Sequence, residues 1–185
     1  MSDINSKIND IIIYAESLTG IKYVRWEKGK DYNFHCDVIP SLDELKNDGV
    51  NCASFINILI LYSGKKIPHH RNIFRGGTLF WTVFFQDKKV LENFDYTKKY
   101  PLGTLFIRNF RDEIDQGHIA MLSDYYTKDP SKILYSNIIH AYYYKNFYGI
   151  GKTKLGISHF SNNDDKGYYE YAVLPEHWYN ILDDR

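Results

Sequence analysis

Residues 52–62 form a stretch that is stable only when enclosed on nearly all sides. Ala53, Phe55, Ile56, Ile58, Leu59, Ile60 and Leu61 wrap almost the whole circumference of a helix and leave no polar face for water. Asn51 starts this helix as a cap and Gly64 stops it. The apolar run is interrupted by Asn57 and is far shorter than the ~20 residues a membrane span needs. The helix therefore has to be buried in protein. A chain of 185 residues and 21.9 kDa can do this, since surface scaling gives roughly 9,300 Å² folded against roughly 32,000 Å² unfolded. One domain spanning residues 1–185 is expected.

The remaining chain supplies the layers. Ile4, Ile8, Ile11, Ile12, Ala15 and Leu18 recur at helical spacing and end at Thr19-Gly20. Residues 21–26 are β-prone, and residues 27–48 are polar and turn-rich, with a short helix expected at residues 41–45. Residues 65–77 read as a loop, and residues 78–85 as either a short helix or a strand. Beyond Val90 the texture is that of strands, at residues 105–109, 118–122, 133–144 and 168–174, separated by turn clusters such as Asp129-Pro130. Helices followed by a mostly antiparallel sheet make an α+β layout.

Charge and cysteine count narrow the function. The 23 basic and 23 acidic residues cancel, so no field attracts nucleic acid or an anionic membrane over distance. Cys36 and Cys52, the two cysteines, cannot build a disulfide scaffold and match no zinc spacing. Residues 1–10 lack a positive segment followed by a long apolar one. The expectation is a soluble protein, cytoplasmic as synthesised, without membrane insertion.

Three local patterns carry chemistry. Asn51 as cap puts Cys52 at the first helical position, where unpaired N–H groups and the helix dipole favour a thiolate. A packing thiol is the competing reading. His118 begins an apolar strand, Gly117-His118-Ile119-Ala120-Met121-Leu122, of the kind covered on both faces. His140 lies in Asn137-Ile138-Ile139-His140-Ala141. If the two strands form a hairpin centred on Asp129, His118 and His140 stand directly opposite on one face; a one-residue slip would separate them. A thiol, an imidazole to take its proton and a second group to orient that imidazole form a nucleophile–base–orienter set.

Taken in order, these motifs resemble the NlpC/P60 family of papain-like cysteine peptidases. That family shows Gly-x-x-Tyr-Val-Trp, Val-Asp-Cys-Ser-Gly, Pro-Gly-Asp-Leu, Gly-His-Val-Gly-Ile-Tyr and Ile-His-Ala. The counterparts are Gly20-Ile21-Lys22-Tyr23-Val24-Arg25-Trp26, Val50-Asn51-Cys52-Ala53-Ser54, Pro101-Leu102-Gly103-Thr104-Leu105, Gly117-His118-Ile119-Ala120-Met121 and Ile139-His140-Ala141. The resemblance implies a papain-like fold with N-terminal helices packed on the sheet. It assigns Cys52 as nucleophile, His118 as general base, His140 as orienting residue and Tyr23 as a phenol near the thiolate. The backbone N–H of Cys52 would serve the oxyanion. It also implies amide-bond cleavage in peptide stems of bacterial cell wall, commonly after a γ-linked D-glutamate, with no metal or organic cofactor. Asn51 stands where the family has Asp, and Ala53-Ser54 where it has Ser-Gly.

Other readings stay beside this one. The absence of a leader favours an intracellular peptidase, isopeptidase or acyltransferase acting on a protein or lipid. A binding module that keeps the fold without catalysis is a third. His35-Cys36 and His69-His70 have no recognised metal-ligand spacing. The aromatic and basic stretch 142–148 reads as a strand end and cleft wall rather than a single-strand nucleic-acid platform. His159 and His177 read as surface or satisfied residues.

Overall fold

The computed structural model describes residues 2–27, 34–125, 132–144, 147–160 and 168–185. Four helices precede most of the sheet: α1 (Ser2–Ser17), α2 (Leu42–Asp48), α3 (Cys52–Tyr62) and α4 (Thr78–Asp87). The apolar positions expected of α1 are its buried face, including Ile8, Ile11, Ile12 and Ala15. Gly20, at φ 91°, ends the turn that follows in a conformation that favours glycine. Every residue of α3 except Tyr62 is buried. The ambiguous segment from Thr78 is a helix, because Phe80, Trp81, Phe84 and Phe85 fall on one side of it and are buried there.

Six strands follow: β1 (Glu92–Asn93), β2 (Leu105–Arg108), β3 (His118–Asp124), β4 (Asn137–Tyr144), β5 (Phe147–Lys154) and β6 (Tyr171–Val173). They form one sheet in the order β1-β6-β2-β3-β4-β5, with every neighbouring pair antiparallel. Two short helices, α5 (Leu155–Phe160) and α6 (Pro175–Ile181), complete the chain. The mixture of helix with antiparallel sheet matches the α+β expectation.

The sheet is buried on both faces. Ile107, Ile119, Met121, Ile139 and Ala141 join α1, α3 and α4 in the larger core. Phe106, Ala120, Leu122 and Ile138 join Tyr100, Ile133, Leu155 and Tyr169 in a smaller one. Consecutive residues of β3 thus enter opposite cores, which is why its sequence is apolar throughout rather than alternating. Each fully buried aliphatic side chain contributes roughly 1.5–3 kcal/mol.

Several boundaries differ from expectation. Residues 21–26 form only isolated bridges, Lys22 with Gly149 and Tyr23 with Val50, because the segment links two separate elements. Residues 133–144 divide into a 3₁₀ turn (Ile133–Tyr135) and β4, since Ile133 turns into the smaller core. The strand β5 was not expected; Gly149, Gly151 and two lysines hide its alternation. Helices α5 and α6 were not expected either.

The hairpin register also needs correction. Asp129 and Pro130, the expected turn, lie outside the described residues. The ladder pairs Met121 with Ile139 and Leu122 with Ile138. Continued along the strands, it sets His140 opposite Ala120 rather than His118. The shift is two residues, so both histidines keep one face and become diagonal neighbours. Burial on two faces enforces that parity. A bulge lies between Leu122 and Asp124, where Asn137 Nδ2 donates to Asp124 Oδ1 at 2.7 Å. Among the described residues, no helix is long and apolar enough to cross a membrane.

Candidate active site at the start of helix α3

Asn51 caps α3 as expected: its Oδ1 accepts from the Ser54 N–H at 2.8 Å, and Ser54 Oγ accepts from the Asn51 N–H at 3.1 Å. The reciprocal pair fixes the helix start and makes Cys52 its first residue. Cys52 is 6% exposed. Its thiol is not held as a thiolate in the resting protein. Burial pushes its pKa up, and this exceeds the opposing pull of hydrogen bonds from the Ile119, Ala53 and Cys52 backbone and the Thr78 side chain. The helix end is present, but removing the sulfur from water outweighs it.

His118 is the first residue of β3. Its Nε2 lies 2.7 Å from Nδ1 of His140, and His140 Nε2 lies 2.9 Å from Thr153 Oγ1. Burial alone lowers His118 to about 4. Burial, then the neighbouring His118, holds His140 well below the ordinary range. Both rings are neutral at pH 7. For His118 to keep a lone pair on Nδ1, its Nε2–H must donate to His140 Nδ1. His140 Nε2–H must then donate to Thr153 Oγ1. The ring of Tyr142 stacks on His140 at 4.2 Å. Tyr168 stands 5.8 Å from the His118 ring and under the Arg108 guanidinium. Arg108 is in turn paired with Asp115 at 2.6 Å.

The thiol and the imidazole line different, adjoining cavities. One, of about 160 Å³, is lined by Cys52 and mainly by aromatic and aliphatic side chains. The other, of about 190 Å³, is lined by His118, His140 and Thr153 with Tyr142, Tyr143 and Tyr168. Tyr23 and Gly117 line both. Gly117 has φ 72°, and a Cβ there would meet Arg108 O at 2.6 Å and Phe110 N at 2.7 Å. Glycine is therefore required at this wall. The Cys52 sulfur reaches the backbone of Ile119, the residue after His118. Among the described residues, no hydrogen bond joins it to the His118 ring directly.

The structure brings His118 and His140 together in one cavity and sets Cys52 in the adjoining one, with Tyr23 in the wall they share. Thr153 and Tyr168 belong with the imidazoles and Thr78 with the thiol, and local pattern did not point to them. Thr153 sits between two lysines on the unexpected β5. Thr78 follows Gly76-Gly77 at the start of a helix that pattern left undecided.

The other candidates lie elsewhere. Cys36 is raised by burial to about 11. His70 contacts Asp87 at 2.6 Å, and Arg71 holds the same carboxylate at 2.7 Å, pinning the loop to α4. Among the described residues, no group of three or more His, Cys, Asp and Glu could hold a metal ion. His177 is exposed on α6, and the side chain of His159 lies outside the described residues. Tyr142 and Tyr143 line the cavity beside His118. In comparisons with known proteins, no family model, no curated protein and no solved structure matches the chain.

Proposed function

We propose that the chain is a thiol hydrolase of papain-like, NlpC/P60-like arrangement that cleaves an amide bond through an acyl-enzyme on Cys52. The observation that carries this reading is the chain of contacts Thr153–His140–His118, in a cavity that shares Tyr23 and Gly117 with the one at the Cys52 thiol, whose sulfur reaches the backbone of the next residue, Ile119. The five ordered motifs support the same assignment, with the peptide stem of cell wall as the substrate they imply.

The neutral resting pair sets the order of events. The Cys52 thiol passes its proton to His118 Nδ1 as sulfur attacks the carbonyl carbon, forming the S–C bond. Proton transfer and attack proceed together, because separated charges are costly in this buried site. The N–H groups at the start of α3 receive the developing oxyanion, where one donor is worth about 3 kcal/mol of barrier. His118 then gives its proton to the leaving amine as the C–N bond breaks. Water, deprotonated by His118, releases the acid and restores the thiol. His140 and Thr153 hold the base in the productive tautomer. The thiol and imidazole close up when substrate spans the two cavities, as active-site hydrogen bonds do on binding.

The unjoined pair also favours a second reading, a binding module that uses the cavities without turnover. One experiment separates the two. Wild-type protein and Cys52→Ala are incubated with purified cell-wall stem peptides and with simple acyl esters, and the intact mass is followed. The hydrolase reading expects an acyl adduct on Cys52 and product release, both absent in Cys52→Ala. Binding of a substrate without adduct or product would establish the module instead.

A further inference from the structure

The two cavities divide the substrate between them, and their chemistry differs. In acyl transfer the acyl group remains bonded to sulfur, so it occupies the space that Cys52 lines. The leaving group takes its proton from the imidazole, so it departs through the space that His118 lines. The cavity at Cys52 is walled by Trp26, Phe34, Ile73, Phe74, Leu79 and Phe110, and none of its described lining residues carries a charge. Its polar side chains are uncharged, Asn51, Thr78 and Gln116 among them. Its volume of about 160 Å³ is close to that of an engineered apolar cavity that takes one benzene.

Resting on the thiol-hydrolase reading, we propose that the acyl donor is uncharged and apolar near the reacting carbonyl, with a substituent of roughly six carbons. A carboxylate on the acyl side would lose its water and gain no cation from the described walls in return. A γ-linked glutamate stem, which keeps a free carboxylate there, would be a poorer donor than an uncharged acyl group, so this inference narrows the substrate that the motifs imply. Arg108, a cation beside the His118 ring through Tyr168, is already held by Asp115. An apolar acyl group can come from an aliphatic chain or from an apolar amino-acid residue, and both present the same surface to these walls.

The test compares 4-nitrophenyl hexanoate with the 4-nitrophenyl monoester of adipic acid, which has the same length and a terminal carboxylate. The hexanoate is expected to acylate Cys52 at least about tenfold faster. Leu79→Lys, which places a cation at the wall, is expected to erase or reverse that preference. Acetyl-leucine 4-nitrophenyl ester runs beside them: faster reaction than hexanoate assigns the source to a peptide, slower reaction to an aliphatic chain. Binding is measured separately in Cys52→Ala by methyl NMR of Ala53 and Ile73, titrating hexanamide against adipamate. Shifts with hexanamide alone support the apolar site even if no ester is turned over, in which case the hydrolase reading fails by itself. Equal or better binding and reaction of the charged compounds overturns the apolar site while leaving Cys52 acylation to stand.

Discussion

Cys52 is buried and Cys36 half-buried, and burial raises both thiols, yet their surroundings differ. Cys36 packs against a satisfied polar knot. Asn57 Nδ2 donates to Phe34 O at 2.6 Å and Gly76 O at 3.0 Å, while Asn57 Oδ1 accepts from Trp81 Nε1 at 2.8 Å. Arg75 holds the Cys36 carbonyl at 2.9 Å. A Cβ on Gly76 would come within 2.5 Å of the Cys36 sulfur, so the space there is full. Cys52 instead borders a cavity, with backbone donors on one side and a neutral imidazole pair beyond the Gly117 wall. Burial alone does not tell the two thiols apart; open space beside the sulfur does, and the role proposed for Cys52 rests on that space.

The largest effect expected from this contrast is catalytic. Cys52→Ala should lower ester turnover about 10³-fold or more, because the covalent route is lost. Cys36→Ala should stay within about threefold. Equal losses in steady-state rates would erase the distinction. Stability should respond the other way round. Asn57→Ala strands the buried Trp81 N–H and two carbonyls and should cost about 3 kcal/mol in urea unfolding, whereas Cys52→Ala should cost about 1 kcal/mol or less.

Next comes pH. With His118 at about 4 when folded and near 6.5 when unfolded, the unfolded chain binds the extra proton between these values. Stability is complete above about pH 6.5 and falls as pH drops towards 4, by about 2 kcal/mol between pH 7 and 5 from this residue. His140, lowered in the same direction, steepens the fall. Urea midpoints across that range check it, and His118→Phe should flatten the profile. The smallest effect belongs to Thr153. Thr153→Val removes the partner of His140 Nε2 and should reduce kcat about fivefold with KM unchanged. Thr153→Ser should recover most of it, an outcome that a merely steric role for Thr153 would not give.

The sequence made the helical half of the molecule readable because its signals are local. The apolar circumference of α3, the Asn51 cap and the stop at Gly64 each act within a few residues, and the structure has all three. The imidazole pair was legible through parity, since burial of β3 and β4 on two faces admits only registers that keep His118 and His140 together. The exact pairing was not, because registers two residues apart bury the same faces and local pattern does not separate them. Thr153 was invisible for a related reason: β5 pairs along its full length with β4, and its glycines and lysines carry no strand signature of their own. The ionisation of Cys52 is not legible in the sequence, because a helix start is written there, whereas the degree of desolvation is a property of the assembled walls.

Tyr23 is held by a strap rather than by a strand. Gly20 N–H donates to Ile150 O, Ile150 N–H to Ile21 O, Tyr23 N–H to Tyr148 O and Val24 N–H to Val50 O. Gly149 admits this approach, since a Cβ there would sit 2.5 Å from Ile21 O. The strap thus covers the free side of β5, the last strand of the sheet, an edge that would otherwise offer unpaired groups to another chain. Its consequence is temporal. The strap is synthesised well before its β5 partners Tyr148 and Ile150, so those contacts join distant parts of the sequence and belong to the slow, non-local part of folding. A ribosome-bound fragment ending before residue 147 would carry α3 and the thiol with neither the sheet's outer strand nor the strap in place, and the wall shared by the two cavities would be assembled among the last parts of the molecule.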